Sequence, residues 1–370
     1  MRRLYLDANG SSPLLGPAQL KINQLLGLVG NPSSFHEQGR RLRALIDDAR
    51  DFIAASLQAK AREVVFTSGA SEANRMIVDV MALEARRVNR VLKVKMSPFE
   101  HPSLLKPVIA LADQGLLNLD IFEVSPDGDL DWGDINKADL VICCQAHNET
   151  GIVPDLSALS SQLSEHTILI SDISQGWSRL PVVSARVDVM SFSAQKMGGL
   201  AGCGGLVMRS RAAGWLPPWL GGGQERGFRP GTESWLLIAA MGEAARFIDE
   251  QRQKNAQLAP IRDYFERELL ARVKLKIIGN LRPRLPNTSA LCFANQDPDA
   301  LRIACDMAGL SVGFGAACSG AAPDGSFALK RLGLSLSEEK STIRFSLPTD
   351  TSYDDLDETC RRLMSGVLQF

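Results

Sequence analysis

Lys196 follows an apolar run, Val187-Asp188-Val189-Met190, and lies within Ser191-Phe192-Ser193-Ala194-Gln195-Lys196-Met197-Gly198-Gly199. A lysine at a strand end can form a Schiff base with a carbonyl cofactor, and neighbouring hydroxyls and loop amides can hold that cofactor's phosphate. A second buried-looking strand, Thr167-Ile168-Leu169-Ile170-Ser171-Asp172, ends on a carboxylate. A pyridoxal-phosphate site needs such a carboxylate beside its ring nitrogen, to keep that nitrogen protonated. Lys196 and Asp172, at the ends of successive strands, supply both groups. A third segment adds an anion site. Glu63-Val64-Val65-Phe66 reads as a strand and runs through Thr67-Ser68-Gly69-Ala70-Ser71-Glu72-Ala73-Asn74 into a helix. Small residues at that junction leave free amides at a helix N-terminus.

Four more residues carry candidate chemistry. Cys318 stands among small residues in Gly313-Phe314-Gly315-Ala316-Ala317-Cys318-Ser319-Gly320. Such a segment reads as a mobile loop that could bring a thiolate nucleophile to a substrate. Arg344, in the alternating Thr342-Ile343-Arg344-Phe345-Ser346, could fork onto a carboxylate. His101, in Phe99-Glu100-His101-Pro102, could stack on a ring or relay a proton, and Asn148, before Glu149-Thr150-Gly151, could donate to a ring oxygen. The other cysteines fall in apolar strands or helix-like segments, except Cys203 in the glycine run after Lys196.

The elements that must position these groups alternate between strand and helix, which predicts an α/β fold with a largely parallel sheet. Residues 37–57 show helical spacing at Ile46, Ala49, Phe52, Ile53 and Leu57. Further strands are expected at 91–94, 119–124, 140–144 and 205–208. A charged helix is expected at 241–253. Beyond it, a helix at 261–273 and strands at 275–278 and 289–293 read as α+β, placing a domain boundary near 250.

Composition narrows the function classes. The 370 residues are 45% apolar and 22% charged, with a formal net charge of −1, so no basic footprint for nucleic acid is present. No apolar run reaches the ~20 residues that span a bilayer. The start, Met1-Arg2-Arg3-Leu4-Tyr5-Leu6-Asp7, has no apolar signal region. Seven scattered cysteines without a Cys-x-x-Cys pair, and only four histidines, argue against a disulfide framework or a metal centre and for a cytoplasmic protein.

Taken together, the ordered motifs resemble the pyridoxal-phosphate-dependent cysteine desulfurases, the NifS-like branch of the class V aminotransferases, and their first group in particular. The resemblance runs from Leu6-Asp7 through Gly30-Asn31-Pro32-Ser33-Ser34, Thr67-Ser68-Gly69-Ala70-Ser71-Glu72, Asn148-Glu149-Thr150-Gly151, Asp172 with Gln175, and Ser193 with Lys196. It continues through Gly221-Gly222-Gly223-Gln224-Glu225-Arg226-Gly227, Arg229-Pro230-Gly231-Thr232, Ala317-Cys318-Ser319 and Ile343-Arg344-Phe345-Ser346. It implies a fold-type I enzyme, with a large cofactor domain at 14–250 and a small domain made of 1–13 and 251–370. It implies that Lys196 carries the cofactor, Asp172 pairs with its ring nitrogen, and Gln175 and Asn148 lie near its ring oxygen. His101 would stack on the ring and serve in proton transfer. Ala70, Ser71, Ser193 and Gln195 would lie at the phosphate, with Thr232 arriving from the partner subunit of a homodimer. Arg344 with Asn148 would hold the carboxylate of L-cysteine, and Cys318 would take its sulfur for a scaffold or tRNA-thiolation protein. The sequence departs from the family at Gln195, where a histidine is usual, at Ser71, where threonine is usual, and at Ala194 and Met197-Gly198-Gly199-Leu200. The sequence stops at Phe370, short of the longer tail that in housekeeping members of the family helps dock scaffold proteins, so the resemblance carries no expectation of that docking. A selenocysteine lyase, another class V lyase and an inactive binding homologue stay open as alternatives.

Overall fold

Apolar runs without alternation become strands buried on both faces. In the computed structural model, which describes residues 2–181, 186–212, 214, 219–294, 296–314 and 325–367, such runs build the larger of two sheets. The chain begins with β1 (Leu4–Leu6) and proceeds through β2 (Val64–Thr67), β3 (Leu92–Met96), β4 (Leu117–Ile121) and a small hairpin of β5 (Glu123–Val124) and β6 (Leu130–Asp131). There follow β7 (Leu140–Ile142), β8 (Ile168–Asp172), β9 (Val189–Ser193) and β10 (Gly204–Met208). The last strands are β11 (Lys276–Ile277), β12 (Thr288–Cys292), β13 (Leu310–Phe314) and β14 (Thr342–Ser346).

The seven-stranded sheet has the order β2-β10-β9-β8-β7-β3-β4. Only β10 runs against its neighbours; the pairs β9/β8, β8/β7, β7/β3 and β3/β4 are parallel. This is the mostly parallel α/β sheet that the sequence predicts. Its parallel strands therefore end along one edge, where ligands bind in open α/β sheets.

The helices used below are α1 (Gly16–Leu25), α2 (Glu37–Ser56), α3 (Ala70–Arg87), α4 (Pro102–Asp113), α5 (Leu156–Ser161), α6 (Trp235–Arg246), α7 (Ile248–Ala256), α8 (Leu258–Leu270) and α9 (Pro298–Met307). The side chain of His36 caps α2 by accepting from Gly39 N, and Leu42, Ile46, Ala49 and Ile53 bury its apolar stripe. The five-stranded sheet has the order β1-β13-β14-β12-β11. It shares a core with α8, in which Phe265 meets Phe345 edge-on at 5.0 Å. Phe99, Cys144, Ile152, Ala290 and Leu329 form a cluster that joins this sheet to the larger one.

Several predicted bounds shift. The strand expected at 119–124 breaks at Phe122, which turns its side chain into the core between β4 and β5. The strand expected at 140–144 stops at Ile142, and the next residues leave the ladder for the site. The helix expected at 241–253 is two helices, α6 and α7, parted at Phe247. Periodicity alone does not register that break, because both pieces keep a buried side. Among the described residues, no helix is long and apolar enough to cross a membrane.

Candidate active site

The carboxyl ends of β2, β3, β7, β8 and β9 lead into the walls of one cavity of about 420 Å³. Asp172 is the last residue of β8. Its Oδ2 accepts from Asn74 Nδ2 at 3.0 Å and its Oδ1 from Ser174 N at 2.9 Å. Asn74 also donates to Ser103 Oγ at 2.9 Å, and Ser103 Oγ lies 2.7 Å from His101 Nδ1. A continuous polar chain thus connects the carboxylate to the imidazole.

His101 caps α4, its Nδ1 accepting from Ser103 N at 3.1 Å. That bond assigns the proton of the neutral ring to Nε2. Burial pushes its pKa down, as does Lys196, while Asp172 pulls it up; the net shift is downward. Burial and Lys196 therefore both favour the neutral ring.

Lys196 ends a short 3₁₀ turn (Ala194–Lys196) that follows β9. Its Nζ donates to the carbonyls of Asn9 at 2.8 Å and Gly10 at 2.5 Å. Gln175 Nε2 donates to the same Asn9 carbonyl at 3.1 Å, and its Oε1 accepts from buried Arg179 at 3.0 Å. Arg179 also donates to Ala8 O and Ser12 Oγ, tying the N-terminal segment to the turn after β8.

The helix N-terminus expected after β2 is present. Gly69 caps α3 at φ 156°, ψ 175°, a conformation that is essentially glycine's alone. The α3 amides at Ala70 and Ser71 have no acceptor within the helix and open onto the cavity. Ser193 reaches the same corner because β10 pairs Gly204 with both Ser193 and Thr67. Glu72 accepts from Ser68 N at 2.6 Å and from Arg229 Nε at 2.8 Å. Burial would raise its pKa, but these donors bring it below the ordinary glutamate value.

Asn148 lines the cavity, and its carbonyl accepts from Arg344 Nη1 at 2.9 Å. Arg344 is not itself a lining residue; it lies behind Asn148 and gives Nη2 to Asp7 Oδ1 at 2.5 Å. Of the residues singled out from the sequence, Ala70, Ser71, His101, Asn148, Asp172, Gln175, Ser193, Gln195 and Lys196 all line this cavity. Thr232 is exposed and does not line the cavity of its own chain. Cys318 lies outside the described residues.

Sequence reasoning missed Asn9, Gly10, Asn74, Glu100 and Arg179. Asn74 left a trace, since it stands on the stripe with Ile77 and Met81 and is fully buried. A polar residue on an apolar stripe is the informative exception. Asn9-Gly10 is a turn dipeptide with a usual meaning of its own. Arg179 left none. A second cavity, of about 510 Å³, lies on the other side of Arg179 and is lined by Pro13, Phe247, Lys254 and Asp350. Neither Lys196, nor Asp172, nor the α3 N-terminus lines it.

The comparisons with known proteins agree with this geometry. The profile of the aminotransferase class-V family matches residues 4–358. The cysteine desulfurase IscS of Dictyoglomus turgidum is 31% identical, over 97% of this chain and 93% of that protein. A cysteine desulfurase of Cereibacter sphaeroides is 32% identical, over 96% and 94%. The solved NifS-like protein of Rickettsia africae superposes with a TM-score of 0.85 at 26% identity, covering 98% of each chain. The chain belongs to the aminotransferase class-V family, a family of pyridoxal-phosphate enzymes with the fold-type I sheet seen here.

The residues present fit that cofactor. A helix N-terminus suits its phosphate, an amine its carbonyl and a buried carboxylate its ring nitrogen. Ser174 Oγ belongs to a residue that lines the cavity and is buried with no hydrogen-bond partner among the described residues. An orphan of this kind calls for a bound polar group.

Proposed function

We propose that this chain is a pyridoxal-phosphate-dependent cysteine desulfurase, converting L-cysteine to L-alanine and leaving the sulfur as a persulfide on Cys318. The observation that carries the reading is the convergence of Lys196, Asp172, His101 and the α3 N-terminus on one cavity. Lys196 would hold the cofactor's carbonyl carbon, Asp172 its ring nitrogen, His101 its ring face, and Gln175 and Asn148 its ring oxygen. Ser71, Ser193, Gln195 and the Ala70 amide would hold its phosphate, with Thr232 of a second subunit. When bound, the cofactor supplies an electron sink for the carbanion formed at the substrate α-carbon.

The protein's own groups do the rest. Arg344 and Asn148 bind the substrate carboxylate and so fix which face of the α-carbon meets Lys196. His101, neutral with its proton on Nε2, would stack on the ring and serve in proton transfer to and from the substrate. The Cys318 thiolate attacks the substrate sulfur, so an S–S bond forms as the C–S bond breaks. The bonding pair stays with carbon, which is protonated to give alanine. Carbon is reduced and sulfur oxidised by equal amounts, so no outside oxidant enters. The persulfide would pass to a scaffold or tRNA-thiolation protein in the cytoplasm. The functional units are a cofactor domain at 14–250 and a small domain of 1–13 and 251–370, which carries Arg344 and Cys318.

Anaerobic incubation with L-cysteine tests this directly. Wild-type protein should release alanine and gain one persulfide. Lys196→Ala should lose alanine formation and the cofactor's yellow absorption. Cys318→Ser should stay yellow, change spectrum with substrate and form no persulfide. Undiminished alanine from Cys318→Ser would instead identify a lyase.

A further inference from the structure

The segment that follows β1 touches both cations named above. Asp7 Oδ1 holds Arg344, and the carbonyls of Asn9 and Gly10 accept from Lys196. Arg344 is only 5% exposed, and its Nε is buried without a hydrogen-bond partner among the described residues. A guanidinium in such a place needs a counter-charge, and Asp7 is its ion-pair partner.

The pair is confined on both sides. A Cβ on Gly10 would fall 2.4 Å from Asp7 Oδ2, and one on Gly313 would fall 2.5 Å from Arg344 Nη2. Either distance is an overlap, so two bare backbones enclose the carboxylate and the guanidinium. Asp7 bridges to Ser346 of β14, whose carbonyl and hydroxyl accept from Ala8 N and Asn9 N, each at 2.9 Å. The carboxylate is thereby fixed to the strand that carries the arginine, and Asn148 O fixes the other terminal nitrogen.

We propose that Asp7 is a positioning residue for substrate recognition, one that sets the orientation in which Arg344 receives the substrate carboxylate. The proposal rests on the assignment of that carboxylate to Arg344. Arginine has a long, freely rotating stem, and a fork that is already oriented loses less freedom when it binds. Asp7 makes no contact with the reacting atoms, so its removal weakens binding and leaves the chemical step nearly intact.

The test uses the holoenzyme with L-cysteine, and with cysteamine, which keeps the thiol and amine but has no carboxylate. Asp7→Asn should raise KM for L-cysteine by roughly tenfold, the effect of one lost charge-assisted hydrogen bond, with kcat changed less than about twofold. Cysteamine binding, read from the cofactor's visible absorption, should not change. In an Arg344→Ala background, Asp7→Asn should add nothing. An unchanged KM, an equal loss of cysteamine affinity, or a full further rise in the Arg344→Ala background each overturns the role of Asp7. If Arg344→Ala itself leaves KM for L-cysteine unchanged, the assignment of Arg344 fails instead. Should Asp7→Asn not hold the cofactor, Gly313→Ala, which displaces the same guanidinium from the opposite side, must give the same split between the two substrates.

Discussion

At the residue scale, Glu100 shows what it costs to bury a carboxyl group behind the cavity wall, where it holds the backbone of the lining residue Cys144. It is buried, with Oε1 accepting from Cys144 N at 2.6 Å and Oε2 without a partner among the described residues. Burial raises its pKa from 4.5 to about 8, with a further push from Asp172. A folded value above the unfolded one means that the stabilisation is complete below about pH 4.5 and is lost as pH rises toward 8. Over that window the loss is on the order of a few kcal/mol. Glu100→Gln keeps an acceptor for Cys144 N and removes the titration. Its melting temperature should therefore gain on wild type steadily between pH 5 and 8. Parallel melting curves against pH for the two proteins would mean that Glu100 is not held protonated. Only the neighbouring His101 was singled out in the sequence; Glu100 stood in the same motif without a visible role, because its burial is a property of the packed loop.

At the element scale, the edge strand β2 explains why the glycine-rich segment is placed where it is. An edge strand presents unpaired backbone groups that must be covered. Here Phe66 N donates to Glu225 at 2.9 Å, and Val64 O accepts from Arg50 at 2.8 Å and Arg226 at 2.6 Å. Arg50 and Glu225 also form a buried two-pronged pair at 2.6 and 2.8 Å. Glu225 and Arg226 both adopt positive φ, 47° and 57°, which costs non-glycine residues free energy. The ion pair and the edge bonds offset that strain. Arg50→Ala would leave Glu225 buried and uncompensated, so chemical denaturation should show a loss of about 3–5 kcal/mol. Replacing both residues with methionine should cost distinctly less. Equal losses would mean that the strained turn does not depend on the pair.

At the scale of the whole molecule, the proposed second subunit can be tested through Thr232, which is exposed and does not line the cavity of its own chain. If Thr232 completes the site of a second copy, two inactive variants should complement each other. Lys196→Ala and Thr232→Ala proteins, unfolded, mixed and refolded together, should form mixed dimers with one intact site. That site combines Lys196 from one subunit with Thr232 from the other. Alanine formation well above that of either variant alone is expected. No gain on mixing would place Thr232 outside the shared site.

What the sequence determined by itself was local. Strand runs ending on Asp172, Ser193 and Lys196, and a strand passing through glycine into a helix, are patterns within a few residues. A parallel sheet converts them into one cavity by aligning strand ends, so the lysine, the carboxylate and the helix N-terminus that line it were legible in advance. The tertiary structure decided the partners. Arg344 and Asp7 are 337 residues apart, Arg50 and Glu225 are 175 apart, and Asn74 and Asp172 are 98 apart. No periodicity records such a pairing, because each contact exists only when separate elements pack. For the same reason the sequence could single out Arg344 as a candidate carboxylate ligand but not its ion pair with Asp7.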